Sequence, residues 1–265
     1  MKEKKEIKRK KKYRIKVKAL IKLIVFVLVI LFVSFFLFNI HIKNIYINGT
    51  TYVTDNEIIS AAGIKNYPKL FKLSKSKMIK EIKRIPLVQD VKIKRNLLGH
   101  ITINVTEYKV LFYYEYDKKY VASNGDMLAI DNAKGVPTLI NFTPDTIFEK
   151  LVVGLDKIDS NIISMINEIE YTPYRGSDGT IIDDTRFTLK MNDQNKIIMN
   201  TLNIKRLNDY NKIYASLGMD QLKGTLYLDT ITDENIYFES YEAEQREEQE
   251  RMRREQEEKE VESHE

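Results

Sequence analysis

The side chains that most often carry out chemistry are scarce in this sequence. Its 265 residues include no cysteine and only three histidines, which excludes a disulfide scaffold, a cysteine ligand set for zinc or an iron–sulfur cluster, and a thiol nucleophile. His41, His100 and His264 are too scattered for a histidine zinc site. Asp183 and Asp184 come closest to a carboxylate pair, but neighbours on a strand face opposite sides and cannot share a substrate; they read as turn or rim residues near Gly179. The loop from Tyr174 to Gly179 contains glycine yet lacks the lysine and the spacing of a phosphate cradle. No catalytic residue, cofactor or metal is therefore expected, and the chemistry left to the chain is recognition.

Recognition needs no reactive side chain where a sheet edge is open. Leu226, Tyr227 and Leu228 begin the last strands, and Ile236, Tyr237 and Phe238 end them just before a run of charge, so the terminal strand is expected at an edge. Unpaired backbone groups there can bond an added strand, while alternate side chains choose the partner. Period-two patterning sends Leu226, Leu228, Ile236 and Phe238 to the core. Tyr227 and Tyr237 fall on the other register and are the better contact residues, since tyrosine brings area and a polar handle together.

The elements that must hold this edge start with an apolar run. From Leu23 to Phe38 only Ser34 is polar, and the neighbouring apolar residues on either side extend the run to the roughly 20 residues that cross a bilayer as a helix. No small-x-small cleavage site follows, so an uncleaved anchor over 23–42 is expected rather than a signal peptide. Residues 1–22 carry twelve Lys or Arg and two Glu. By the positive-inside rule this segment is cytoplasmic, where its lysines meet anionic lipid headgroups, and the rest of the chain lies outside the membrane. Residues 239–265 carry twelve acidic and five basic residues. The overall charge of +5 is thus an average of opposed ends and gives no reason to expect nucleic-acid binding.

Residues 43–110 read as strand, helix, helix, strand, strand. Ile45 to Ile47 make a strand ended by Asn48 and Gly49. Thr54 and Glu57 have capping-box spacing, with Gly63 as the stop. A second helix runs from about Ser74 to Arg84 with Met78, Ile79 and Ile82 inward. Val91, Ile93 and Arg95 alternate with lysines, Asn96 to Gly99 turn the chain, and Ile101, Ile103 and Val105 alternate with polar residues. This order directly after a single span resembles the POTRA domain of the bacterial division family FtsQ/DivIB, through IKNIYINGTTYVTDNEI (42–58) and LVQDVKIKRNLLGHITINVTEYKVLFYY (87–114).

Residues 111–238 read as a second, mixed α/β module, which the resemblance implies is the β domain of that family. Its opening hairpin, YVASNGDMLAI, and the GVPTL turn at 135–139 resemble the family pattern. A helix starts at Thr143–Pro144, a second helical stretch is expected from Ile162 through Ile169, a hairpin turns at 192–195, and a helix covers 203–217 up to Gly218. Residues 239–265 are expected to be a charged, disordered tail. The fold class is thus a single-pass membrane protein with a POTRA domain, a β domain and a tail. The resemblance implies a non-enzymatic scaffold at the division septum. It implies as partners small bitopic coiled-coil proteins of the FtsL and DivIC/FtsB kinds, and through them septal peptidoglycan synthases. It also offers Leu226, Tyr227, Leu228, Ile236, Tyr237 and Phe238 as the contacts. A POTRA-bearing secretion or assembly factor and an envelope enzyme are the alternatives.

Overall fold

The computed structural model describes residues 17–131, 133–229 and 236–262, in two compact units divided between Thr106 and Glu107. The first begins with α1 (Val17–Phe38), which has no buried residue. At about 1.5 Å per residue its length is about 33 Å, so it is long and apolar enough to cross a membrane. The helix lies closer to the N terminus than the expected 23–42. Asn39 ends it, with its Nδ2 donating to the Phe35 carbonyl at 2.8 Å, and Ile42 is withdrawn into the first unit at 3% exposure. Lys18 and Lys22 are consequently helical, where their stems can snorkel. Residues 1–16 of the expected basic segment lie outside the described residues.

The remainder of the first unit is β1 (Asn44–Asn48), α2 (Asp55–Ala61), a 3-10 turn at Leu70–Lys72, α3 (Lys75–Ile82), β2 (Val88–Arg95) and β3 (His100–Glu107). The strands lie in the order β1-β3-β2, with β1 parallel to β3 and Ile45 opposite Ile101. The capping box forms as read: Glu57 N donates to Thr54 Oγ1 at 3.3 Å and Thr54 N to Glu57 Oε2 at 2.8 Å. Ser74 caps α3 one way only, its Oγ accepting from Lys77 N at 3.3 Å. Ile58, Ile64, Leu70, Ile82, Ile93, Ile101 and Ile103 fill the space between helices and sheet. Arg95 keeps to the inner face because its Nη1 donates to the carbonyls of Leu70 and Leu73, at 3.2 and 2.9 Å.

The second unit contains one long sheet. Its elements are β4 (Val110–Tyr114), β5 (Lys119–Ala122), β6 (Met127–Leu128), β7 (Thr138–Leu139), α4 (Asp145–Leu155), α5 (Ser160–Ile163), β8 (Ile166–Tyr171), β9 (Tyr174–Arg175), β10 (Ile181–Asp183), β11 (Arg186–Met191), β12 (Lys196–Asn200), α6 (Tyr210–Ser216), β13 (Gly224–Tyr227), β14 (Tyr237–Ser240) and α7 (Tyr241–Glu262). Nine strands are ordered β14-β13-β12-β11-β8-β7-β4-β5-β6, and β9 with β10 makes a separate ribbon. The pairs β7–β8 and β12–β13 are parallel because each is joined through a helical crossover, whereas tight hairpins give antiparallel pairs. A core of Phe112, Leu139, Leu151, Leu155, Phe187, Leu189, Ile197, Leu207, Tyr210 and Leu226 lies between the sheet and its helices.

Three expectations fail here, each for a local reason. The helix expected to continue from Ile162 to Ile169 stops at Ile163, and Ile166–Tyr171 is a strand. Leu189 pairs with Ile169 and Lys190 with Glu168, but Met191 pairs with Ile166. The bulged residue Asn167 places Ile166 and Ile169 on one face at a spacing of three, which imitates a helix in sequence. Over 203–217 the first half is a 3-10 helix, Ile204–Asp209, before α6. Buried residues fall at 204, 207, 210 and 213, a period of three that suits 3.0 residues per turn. The tail is not an extension without structure: Glu239 and Ser240 belong to β14, and residues 241–262 are helical. Ion pairs one turn apart support that helix, Glu242 with Arg246 at 3.7 Å and Glu250 with Arg254 at 3.6 Å.

Candidate partner-docking edge

The residues singled out for recognition meet where β13 and β14 form one end of the sheet. The pairing is antiparallel, with Leu226 opposite Phe238 and Tyr227 opposite Tyr237. Since adjacent residues face opposite sides, Leu226 is fully buried and Phe238 packs against the core. The two tyrosines share the other face. Their ring centroids are 5.4 Å apart, Tyr227 Oη donates to Glu239 Oε2 at 3.1 Å, and Tyr237 is 55% exposed.

Leu228 lies one residue past β13 and is buried, its N–H donating to the Ile198 carbonyl at 2.7 Å and its carbonyl accepting from Arg206 Nη1 at 3.2 Å. Ile236 departs from its expected place in the core. It precedes the first paired residue of β14 and is 40% exposed, because outside the ladder nothing enforces the alternation.

The phase of the ladder decides which backbone groups face outward. Tyr241 N donates to the Lys223 carbonyl at 2.9 Å, so residues 237, 239 and 241 bond inward toward β13. The N–H groups of Phe238 and Ser240 then point away from the sheet. Among the described residues no strand pairs with that side of β14. The edge is fastened at one end by Gly224 N donating to Oδ1 of the buried Asn195 at 3.0 Å. Nearby, Tyr241 Oη donates to the Gln194 carbonyl at 3.2 Å and Lys196 Nζ lies 5.4 Å from the Tyr241 ring. At Gly224 the facing backbone leaves no room for a side chain: an added Cβ would run into the Glu239 carbonyl oxygen and stand 2.8 Å from both the Glu239 carbonyl carbon and Ser240 Cα. Gly224, Glu239, Ser240 and Tyr241 were not legible as parts of this edge. The only local sign was a glycine directly before TLYL.

The residues considered for other chemistry are used structurally. Burial pushes the Asp183 carboxyl up, but this is outweighed by hydrogen bonds from the Thr185 hydroxyl and N–H, both at 2.7 Å, and from Asn200 Nδ2 at 3.2 Å, so its pKa is held below the usual carboxylate range. Asp184 is exposed beside it. His41 sits in an isolated bridge to Lys69 and the His100 ring lies 6.1 Å from that of Tyr46; His264 is outside the described residues. Among the described residues no three His, Asp or Glu side chains are grouped to hold a metal. Two surface grooves of about 660 and 570 Å³ flank α4, around Val153 and Leu202 and around Phe148 and Val152.

Residues 40–108 match the family model described as POTRA domain, FtsQ-type. The chain is 28% identical to the cell division protein DivIB of Listeria monocytogenes over 59% of this chain and 58% of that one. It is 28% identical to DivIB of Bacillus subtilis over 76% and 74% of the two chains. The matched stretch is thus somewhat under three fifths of the Listeria protein's length. The solved extracytoplasmic domain of the trans isomer of DivIB from Geobacillus stearothermophilus aligns at 17% identity with a TM-score of 0.33, over 43% of this chain and 94% of that one.

Proposed function

We propose that this chain, a relative of the DivIB cell division proteins with an FtsQ-type POTRA domain after an apolar helix, is a non-enzymatic scaffold of the division complex. Its basic N-terminal segment lies in the cytoplasm, α1 crosses the membrane, and the chain from residue 43 onward lies outside, at the septum. There it holds small bitopic coiled-coil proteins of the FtsL and DivIC/FtsB kinds, which in turn position septal peptidoglycan synthases. The observation that carries the reading is the β14 edge, where an exposed Tyr237 paired with Tyr227 is followed by outward N–H groups at Phe238 and Ser240. A partner strand laid along β14 would satisfy those donors and cover the Tyr227–Tyr237 face. The name of these relatives, cell division protein, supports the setting.

A photocrosslinking residue in place of Tyr237, used in dividing cells and followed by identification of the captured protein, tests this. Capture of a small bitopic coiled-coil protein is expected. Capture of nothing in cells where the protein is present and correctly oriented would remove β14 as the contact.

A further inference from the structure

The tip of the β2–β3 hairpin carries two side chains that its turn does not need. Asn96 builds the turn: its Oδ1 accepts from Leu98 N at 3.0 Å and from His100 N at 2.9 Å, and Gly99 supplies the left-handed residue at φ 90°. Turn positions of this kind favour small and polar residues. Leu97 and Leu98 nevertheless fill them, 63% and 67% exposed, the most exposed leucines of the first unit outside α1. A pair of adjacent exposed leucines calls for something to cover it.

The position of the tip says what covers it. Lys43 N donates to the Gly99 carbonyl at 2.8 Å, and a Cβ on Gly99 would stand 2.6 Å from the His41 carbonyl oxygen and 3.1 Å from Lys43 Cγ. The tip is therefore bound to the chain that leaves α1, only five residues beyond Phe38. Five residues span at most about 17 Å even when fully extended. On its other side the same exit segment is held by a second loop. Ile42 N donates to the Pro68 carbonyl at 3.1 Å, Leu70 N to the Ile40 carbonyl at 2.8 Å, and Lys69 Nζ to Asn39 Oδ1 at 2.6 Å. That loop presents Tyr67, 51% exposed. The leucine pair, an exposed tyrosine and the lysines Lys43 and Lys69 thus lie around the segment where the span emerges, a composition that suits the headgroup layer.

We infer that the membrane-proximal end of the POTRA unit seats on the outer leaflet, with Leu97 and Leu98 dipping below the phospholipid headgroups. The partner is the bilayer that α1 already crosses. The tip and the exit loop then act as two feet that restrict tilting of the unit on its anchor. This inference rests on the anchor reading of α1.

Because the sequence has no cysteine, a Leu98→Cys variant of the full chain takes a single environment-sensitive fluorophore. Thr106→Cys, exposed near the opposite end of β3, serves as the reference. Both are reconstituted into vesicles of phosphatidylglycerol and phosphatidylethanolamine, with or without lipids bearing a nitroxide near the headgroup. The expected result is a blue-shifted Leu98→Cys label, quenched several-fold more by the lipid nitroxide and less by aqueous iodide than the Thr106→Cys label. Equal quenching at the two positions, in protein that floats with the vesicles, overturns the seating while leaving the anchor intact. Shielding of Leu98→Cys from iodide without lipid quenching assigns the tip to a contact between copies of the chain and also overturns it. Failure to float removes the anchor reading itself.

Discussion

Replacing Gly224 with alanine separates the docking edge from the fold that carries it. The new Cβ would stand 2.8 Å from the Glu239 carbonyl carbon and 2.8 Å from Ser240 Cα, whereas carbon atoms pack at about 3.5–4.0 Å. These two atoms and the still nearer Glu239 carbonyl oxygen are all backbone, so no side-chain rotation relieves them, and β14 must retreat by at least about 1 Å. A backbone hydrogen bond of ordinary length moved by that amount passes the limit of useful geometry. The bonds at risk flank Gly224: Tyr241 N to the Lys223 carbonyl and the exchange between Thr225 and Glu239, which the register places opposite each other. Three bonds at about 1 kcal/mol each give about 3 kcal/mol. This raises the population of the opened edge on the order of a hundredfold.

Hydrogen exchange read by mass spectrometry reports this directly. Peptides covering 237–241 should lose about two decades of protection, while those from β11 and β12 keep theirs. Crosslinking from position 237 should fall in parallel. Wild-type protection at 237–241 in the variant would refute the steric reasoning, and an equal loss throughout the second unit would show that the edge does not open by itself.

Three further changes test the packing behind the edge. Tyr210 is fully buried and its Oη donates to Asp193 Oδ2 at 2.7 Å, so Tyr210→Phe should cost about 1.5–3 kcal/mol in urea unfolding of the outer segment. Burial first, and then Asp193, push that phenol well above the ordinary tyrosine range. Its contribution is therefore complete below the unfolded pKa of about 10 and lost as pH rises beyond it, and the phenylalanine variant should show a shallower alkaline limb. Asp183 has the opposite sign: its lowered pKa gives stability that is present above about pH 3.9 and lost as pH falls through the folded value. Asp183→Asn should thus be less stable near neutrality and flatter on the acid limb in unfolding midpoints measured across pH. At the α4 contact, a Cβ on Gly154 would meet Ile204 Cγ2 at 2.7 Å and Cδ1 at 2.8 Å, so Gly154→Ala should cost about 1–3 kcal/mol. The penalty should shrink in an Ile204→Val background, where Cδ1 is gone.

What could be read from the chain alone was whatever a few neighbouring residues settle among themselves. Thr54 and Glu57 satisfy each other's backbone donors across three residues, so their capping box is visible before any fold exists. The apolar run of α1 needs only its own composition, although its C-terminal limit at Phe38 depends on Ile42 being drawn into the first unit. The alternation that separates Leu226 from Tyr227 holds on any pleated strand, and the structure keeps it.

Tertiary contacts decided the rest. Ile166 and Ile169 have helical spacing, and only the pairing of β8 with β11 reveals the bulge that makes them one strand face. Period two sends Ile236 inward, but the ladder begins one residue later and does not bind it. Nothing local marks Gly224 as part of an edge; the β14 backbone placed against it does. Leu97 and Leu98 were merely part of a turn until Lys43 and Gly99 tied that turn to the exit of α1. Local patterns arise from steric and hydrogen-bonding rules acting within one or two turns of chain. Edges, bulges and feet arise from which distant segment arrives alongside, and that is settled by the packing of the whole unit.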